Sequence, residues 1–141
     1  MTDIRVTGLK IKQIYDLMEK QANNRLRPLN LTISQVIVLF ALKAADNKEL
    51  TLKQLERQLM IQSSTSAGLI SRMKDKGFVE TRGSKDDARI TIVSLTAAGD
   101  EISDVVETDI LSTENKLTSL MTTKEREQFD ALLEKALEAI K

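Results

Sequence analysis

The chain has 141 residues, 41% of them hydrophobic and 30% charged, as expected for one soluble globular domain with a single core. Its 21 Lys/Arg balance 21 Asp/Glu, only 3% of residues are aromatic, and cysteine and histidine are both absent. Disulfides, thiol redox sensing, the usual zinc sites and Ser-His or Cys-His nucleophile pairs are thereby excluded, and no cofactor or metal is expected.

Residues 1–12 interleave Asp3, Arg5, Lys10 and Lys12 with isolated apolar positions, unlike a signal peptide. No apolar stretch is long enough to cross a bilayer, so a cytoplasmic protein without membrane association is expected. The first helical pattern covers roughly residues 4–26. Ile4, Ile11, Tyr15 and Met18 form one stripe, with Leu9, Ile14 and Leu17 beside it. It is apolar over more of its circumference than one surface contact needs, and it ends near Arg27-Pro28 because the residue before proline leaves helical geometry.

Thr32 and Gln35 form a capping box for a second helix. Its near-continuous apolar run Val36-Ile37-Val38-Leu39-Phe40 marks it as central and buried, and Asp46-Asn47-Lys48-Glu49 ends it. Thr51 and Gln54 box a short third helix carrying Leu52, Leu55 and Leu59. After a turn at Met60-Ile61-Gln62, a fourth helix capped by Gln62 or Ser63 runs to about Lys76. Gly77 supplies the left-handed residue that stops it. The period then becomes strand-like over Phe78–Arg82 and Arg89–Leu95, with the polar turn 83–88 between them, which predicts a β-hairpin with a protruding tip. From Thr96 one long helix carries Ile102, Val105, Val106, Ile110 and Leu117. Thr122 and Glu125 box the last helix, marked by Phe129, Leu132, Leu133, Leu137 and Ile140. The fold class is therefore mainly α with a small β-hairpin wing.

Residues 51–95 (short helix, tight turn, helix, hairpin) have the order of a winged helix-turn-helix, whose second helix enters the major groove. Stepping the fourth helix at 100° gathers Ser66, Leu69, Ile70 and Met73 on a core face. The opposite face holds Ser64, Gly68, Ser71 and Asp75, flanked by Thr65 and Arg72. Small hydroxylic residues let a helix sink into a groove, and its N-terminus offers free N–H groups to phosphate. The hairpin presents Arg82, Ser84, Lys85 and Arg89, a cationic tip suited to a minor groove. Asp86 and Asp87 repel phosphate, and a sensible role for Asp87 is to hold Arg89 or Arg72. Charge follows the same division: residues 1–50 and 51–95 each hold eight basic and five acidic residues, a net +3, whereas residues 96–141 hold five and eleven, a net −6.

Several stretches together resemble the MarR family over essentially the whole chain. They are Gln62 to Val79 with its Leu69-Ile70-Ser71-Arg72-Met73 core, the wing motif Asp87-Ala88-Arg89, and Val93-Ser94-Leu95-Thr96-Ala97-Ala98-Gly99. The resemblance implies a triangular homodimer built from residues 1–27 and 97–141 of both copies. Each 51–95 lobe would then sit on one half-site of palindromic double-stranded DNA, usually in repression. It places Ser63, Ser64 and Thr65 at the start of the recognition helix, Arg72 at the family's usual arginine, Lys85 at the wing tip, and Asp87 and Arg89 in the wing motif. Gly68 and Ser71 depart from the long polar residue and the aspartate that many relatives carry, which thins direct base readout. The resemblance also implies a site for phenolic or other lipophilic acids, lined from Ile11, Tyr15, Phe40 and Leu69 with Arg or Lys near its mouth. Two other classes compete: a winged-helix protein-interaction module without DNA affinity, and an enzyme, for which no phosphate-cradling loop or convergent carboxylate pair speaks.

Overall fold

The computed structural model describes residues 6–141. Ile4, expected on the first helical stripe, lies outside them. Helix α1 spans Thr7–Leu26 and runs into a 3₁₀ turn at Arg27–Leu29, where Pro28 ends α-helical bonding. Asn30 then takes a left-handed conformation (φ 55°) and reverses the chain. Helix α2 (Ile33–Ala44) starts with the expected box: Thr32 Oγ1 accepts from the Gln35 N–H at 3.3 Å, and Gln35 Oε1 accepts from the Thr32 N–H at 3.2 Å. Asn23 Oδ1 accepts the Ile33 N–H at 2.8 Å, so α1 itself fixes where α2 begins.

After a 3₁₀ turn at Asp46–Lys48 come strand β1 (Glu49–Thr51), helix α3 (Leu52–Leu59) and helix α4 (Ser63–Asp75). The hairpin strands β2 (Val79–Gly83) and β3 (Thr91–Leu95) follow, then α5 (Ala97–Leu117) and α6 (Thr123–Ile140). Capping boxes at Thr51/Gln54 and Thr122/Glu125 start α3 and α6 as expected. Gly77, with φ 77°, is the left-handed stop after α4.

Two expectations change. The hairpin is part of an antiparallel three-stranded sheet ordered β1-β3-β2, with Leu50 opposite Val93 and Arg82 opposite Ile92. Strand β1 has three residues and draws its pairing from β3, more than forty residues later, so no local alternation announces it. The return strand begins at Thr91 rather than Arg89. The Asp87 carboxylate accepts the Arg89 N–H at 3.0 Å and the Asp87 carbonyl accepts the Ile90 N–H at 3.0 Å, a local turn that takes both residues out of the ladder.

The main core joins α2, α3, α4 and the sheet through Val38, Leu39, Leu42, Leu55, Ile70, Met73, Val79 and Val93, all buried. A second cluster, Leu26, Leu31, Val36 and Val106, attaches this lobe to α1 and α5. The junction between lobe and α5 is closely fitted. Thr96 caps α5 by accepting the Gly99 N–H at 3.0 Å, its hydroxyl donates to the Gly77 carbonyl at 2.6 Å, and its own N–H donates to the Phe78 carbonyl at 3.1 Å. A Cβ on Gly99 would overlap the Phe78 carbonyl oxygen and lie 2.7 Å from Leu95 Cδ1. An ion-pair cluster braces the same junction. Lys43 at the end of α2 meets Asp100 (3.2 Å) and Asp104, and Lys48 also reaches Asp100. Lys48 first and Lys43 second hold the Asp100 carboxyl below the usual carboxylate range.

The outer helices leave apolar surface uncovered. Helix α1 buries only Ala22 and Leu26. Helix α6 buries none of its residues, although it carries Leu132, Leu133, Leu137 and Ile140.

Gly99→Ala forces the first turn of α5 away from Phe78 against a backbone atom that cannot rotate aside. It should cost about 2 kcal/mol or more and lower Tm by several degrees in thermal denaturation. Because the folded-state pKa of Asp100 is depressed, its contribution is present above the unfolded carboxylate value of about 4 and is lost as pH falls through the lower folded value. The Tm gap between wild type and Asp100→Asn should therefore be widest near neutral pH and close in acid.

Candidate nucleic-acid interface

The α3–α4 turn passes through Met60 in a left-handed conformation (φ 55°), and the Ile61 N–H donates to the Glu56 carbonyl at 3.0 Å. Helix α4 then starts at Ser63 with Gln62 in the N-cap position, but no side chain accepts from its first N–H groups. The Ser63 hydroxyl instead donates to Glu56 Oε2 at 2.8 Å, tying α4 to α3. The N–H groups of Ser63 and Ser64 thus have no side-chain acceptor at the positive end of α4, beside which the Glu56 carboxylate is held. The core face is as expected, with Ser66, Leu69, Ile70 and Met73 buried. Ser66 satisfies its hydroxyl internally, donating to the Ser63 carbonyl at 3.0 Å. Ser63, Ser64, Thr65, Ser71 and Arg72 are exposed, and Gly68 is half-buried among them.

Gly68 has one neighbour where a Cβ would stand. Arg72 Nη1 would lie 3.2 Å from that atom, so the guanidinium folds back along α4 over the glycine. The cation is thereby drawn toward the hydroxyl-bearing first turns of the helix.

The wing loop runs from Ser84 to Ile90 and is closed by the Ser84 N–H donating to the Ile90 carbonyl at 2.8 Å. Lys85 projects at the tip and is exposed, while Ser84 turns inward to accept the Asp86 N–H at 3.3 Å. Asp87 takes Arg89 rather than Arg72. Its Oδ1 accepts from Arg89 Nε at 3.1 Å and its Oδ2 accepts from Nη2 at 3.2 Å. The Arg89 side chain, and after it the Arg89 backbone N–H, hold the Asp87 carboxyl below its ordinary range. Arg89 itself stays 91% exposed, so it is oriented without being buried.

Arg82 sits differently from the expectation that grouped it with the free cations of the wing. Its guanidinium grips Glu49 through two contacts, Nη1 to Oε2 and Nη2 to Oε1, both at 3.0 Å. Arg82 and Glu49 face Ile92 and Ser94 on the same side of β3, so the pair clamps the two edge strands across the central one. Glu49 is a residue that sequence reasoning passed over, because its partner lies 33 positions away and β1 has no pattern of its own.

The expected effector-pocket residues do not converge. Tyr15 and Phe40 share a cavity of about 300 Å³ between α1, α2 and α5. Leu69, only 4% exposed, belongs to the helix-turn-helix core and borders a different cleft beside Thr65 and Arg72. Leu69 shares the buried face of α4 with Ile70 and Met73, and the cleft it borders adjoins the Tyr15–Phe40 cavity through Glu19 and Ile33. Ile11 lies on exposed α1 surface and lines neither space. Among the described residues, the charged ones that line the Tyr15–Phe40 cavity are Glu19 and Glu114. Glu19 was findable, since it stands four residues after Tyr15 and so shares its helix face.

Residues 29–90 match the model of the MarR family. The chain is 33% identical over 82 residues to an organic hydroperoxide resistance transcriptional regulator of Bacillus subtilis (strain 168), a match covering 58% of this chain and 54% of that protein. It thus spans about half the length of that relative. Among solved structures, a MepR–DNA complex from S. aureus superposes with a TM-score of 0.88 at 23% identity, covering 97% of this chain and 99% of that one. A mutant MarR from E. coli, complexed with operator DNA, superposes with a TM-score of 0.81 at 27% identity, covering 92% of both chains. Residues 29–90 are thus similar to the MarR family, and the whole chain shares the winged-helix fold of the MarR–operator complex on which it superposes.

Proposed function

We propose that this chain is a sequence-specific regulator of transcription that binds palindromic double-stranded DNA as a homodimer. In this reading α4 enters the major groove and the wing of residues 84–90 enters the adjacent minor groove. The observation that carries the reading is the uncapped start of α4, with Ser63, Ser64 and Thr65 exposed on it, beside a wing arginine pre-oriented by Asp87. Open N–H groups and hydroxyls suit phosphate and base edges, and an oriented cation suits a narrow minor groove. Gly68 and Ser71 keep the helix face thin, and Arg72 and Lys85 supply further positive charge. Arg82 contributes by holding the sheet that carries the wing. Two of the structures similar to this chain are complexes with DNA, which supports DNA as the partner.

Dimerisation is supported by α6, an 18-residue helix that buries nothing within its own chain. A helix of that length gains most of its stability from packing an apolar face, so Leu132, Leu133 and Leu137 call for a partner surface. Residues 1–27 and 97–141 would supply the dimer core. The 51–95 lobe, extended back to β1, would supply DNA contact. Two-fold symmetry then demands inverted half-sites. The regulator would act in the cytoplasm as a repressor, released when a small lipophilic effector shifts the lobes relative to the dimer helices.

Binding to duplex DNA followed by fluorescence anisotropy across a salt series tests this reading. Wild type should bind with a steep negative dependence on log salt. Arg89→Ala should weaken binding to all sequences and flatten the salt slope by about one unit, whereas Thr65→Ala should change the preferred sequence. Salt-independent or undetectable binding by the wild type would overturn the proposal in favour of a protein-interaction module.

A further inference from the structure

Gly68 sits in the middle of α4, where glycine is destabilising relative to alanine. The backbone does not call for it, since Gly68 is helical and Gly77 is the glycine that takes the positive φ of this segment. The space beside it belongs to one side chain. The three atoms nearest to the place a Cβ would occupy are all in the Arg72 guanidinium, with Nη1 at 3.2 Å and Cζ and Nη2 at 3.9 Å. The neighbour that a side chain at position 68 would displace is therefore Arg72.

Helical side chains lean toward the N-terminus of their helix, so a residue covers the position four before it. With no Cβ at Gly68, the Arg72 guanidinium lies against the helix surface there instead of standing off it. Ser64, Gly68 and Ser71 share one face of α4, outside its buried residues, and Arg72 starts on the flank of that face. Folding over Gly68 carries the charge from the flank to the middle of the face. A guanidinium held in one orientation can present two parallel N–H donors to the O6 and N7 acceptors of a guanine, which a flexible point charge cannot do.

We propose that Gly68 is a positioning residue, a notch that holds the Arg72 guanidinium at the centre of the groove-facing surface of α4, where it reads one guanine in each half-site. This role presupposes the proposed entry of α4 into the major groove, and the two fail differently. A wild-type protein that selects no DNA sequence overturns both. A selected motif that is indifferent to Arg72 and Gly68 overturns this role alone.

The duplex that the wild-type protein selects from a random pool, together with its single-base variants, is titrated with wild type, Arg72→Ala, Gly68→Leu and the double variant, read by fluorescence anisotropy. Arg72→Ala should relax the preference for guanine at one position of the half-site by about tenfold. Gly68→Leu, which fills the notch and keeps the cation, should relax the same position by a similar factor. In the Arg72→Ala background Gly68→Leu should change that preference no further, because the two residues act as one unit. Gly68→Ala, which restores helix propensity, should hold or raise Tm. The proposal is overturned if Arg72→Ala weakens all sequences equally, or if Gly68→Leu keeps the wild-type preference. It is equally overturned if the Gly68→Leu effect persists without Arg72, or if Gly68→Ala lowers Tm.

Discussion

The meeting of Gly77, Phe78, Thr96 and Gly99 is the contact on which the arrangement of the whole molecule depends. Two carbonyls at the end of the recognition-type helix accept from the hydroxyl and the N–H of the residue that caps α5. The first turn of α5 approaches so closely that the fourth of these positions has room for hydrogen alone. The end of α4, the start of β2, the end of β3 and the start of α5 are therefore one node. On the proposed reading, the helix that presents its side chains to DNA is held directly against a helix that packs on a second copy of the chain. The orientation of the winged lobe on its support is thus set by short backbone contacts, with the Lys43–Asp100–Lys48 cluster as an outer brace. Those ion pairs are partly exposed and contribute less than the fitted backbone.

A net charge of zero is compatible with a DNA-facing surface because the charges are sorted and then individually committed. Arg82 is paired within the sheet and Arg89 within the wing, each with a carboxylate that fixes its direction. On the proposed reading, a bidentate partner lowers the entropy lost when the guanidinium meets a phosphate. Asp87, which on charge alone opposes DNA binding, thereby acts as a positioning residue for Arg89. The acidic excess of residues 96–141 lies in the scaffold helices α5 and α6, outside the winged lobe of residues 51–95.

Much of this was legible in the sequence wherever the governing chemistry is local. The three Thr-x-x-Gln/Glu boxes at Thr32, Thr51 and Thr122 mark helix starts because both hydrogen bonds close within four residues. The left-handed stop at Gly77 and the buried face of α4 follow from single-residue sterics and helical period. What escaped depends on partners distant in the chain. Strand β1 exists because β3 is there to pair with it, and the Arg82 clamp exists because β1 is there. The wing strand was read two residues too long, since β-branched composition cannot show that Asp87 captures the Arg89 N–H. The pocket was read as one space because apolar residues give no sign of which helix face a tertiary cavity opens on. Leu69 went to the core, and only Tyr15 and Phe40 met.

The central claim is that two copies of the α4-and-wing surface, held by their scaffold helices, read two inverted half-sites together. Selection of bound duplexes from a random-sequence pool with the purified protein tests it most directly, because motif, symmetry and spacing emerge from one experiment. The account predicts enrichment of an inverted repeat whose half-site centres lie about one helical turn, roughly 10 base pairs, or a multiple apart. Failure to enrich any sequence, or enrichment of a lone asymmetric half-site, would contradict it.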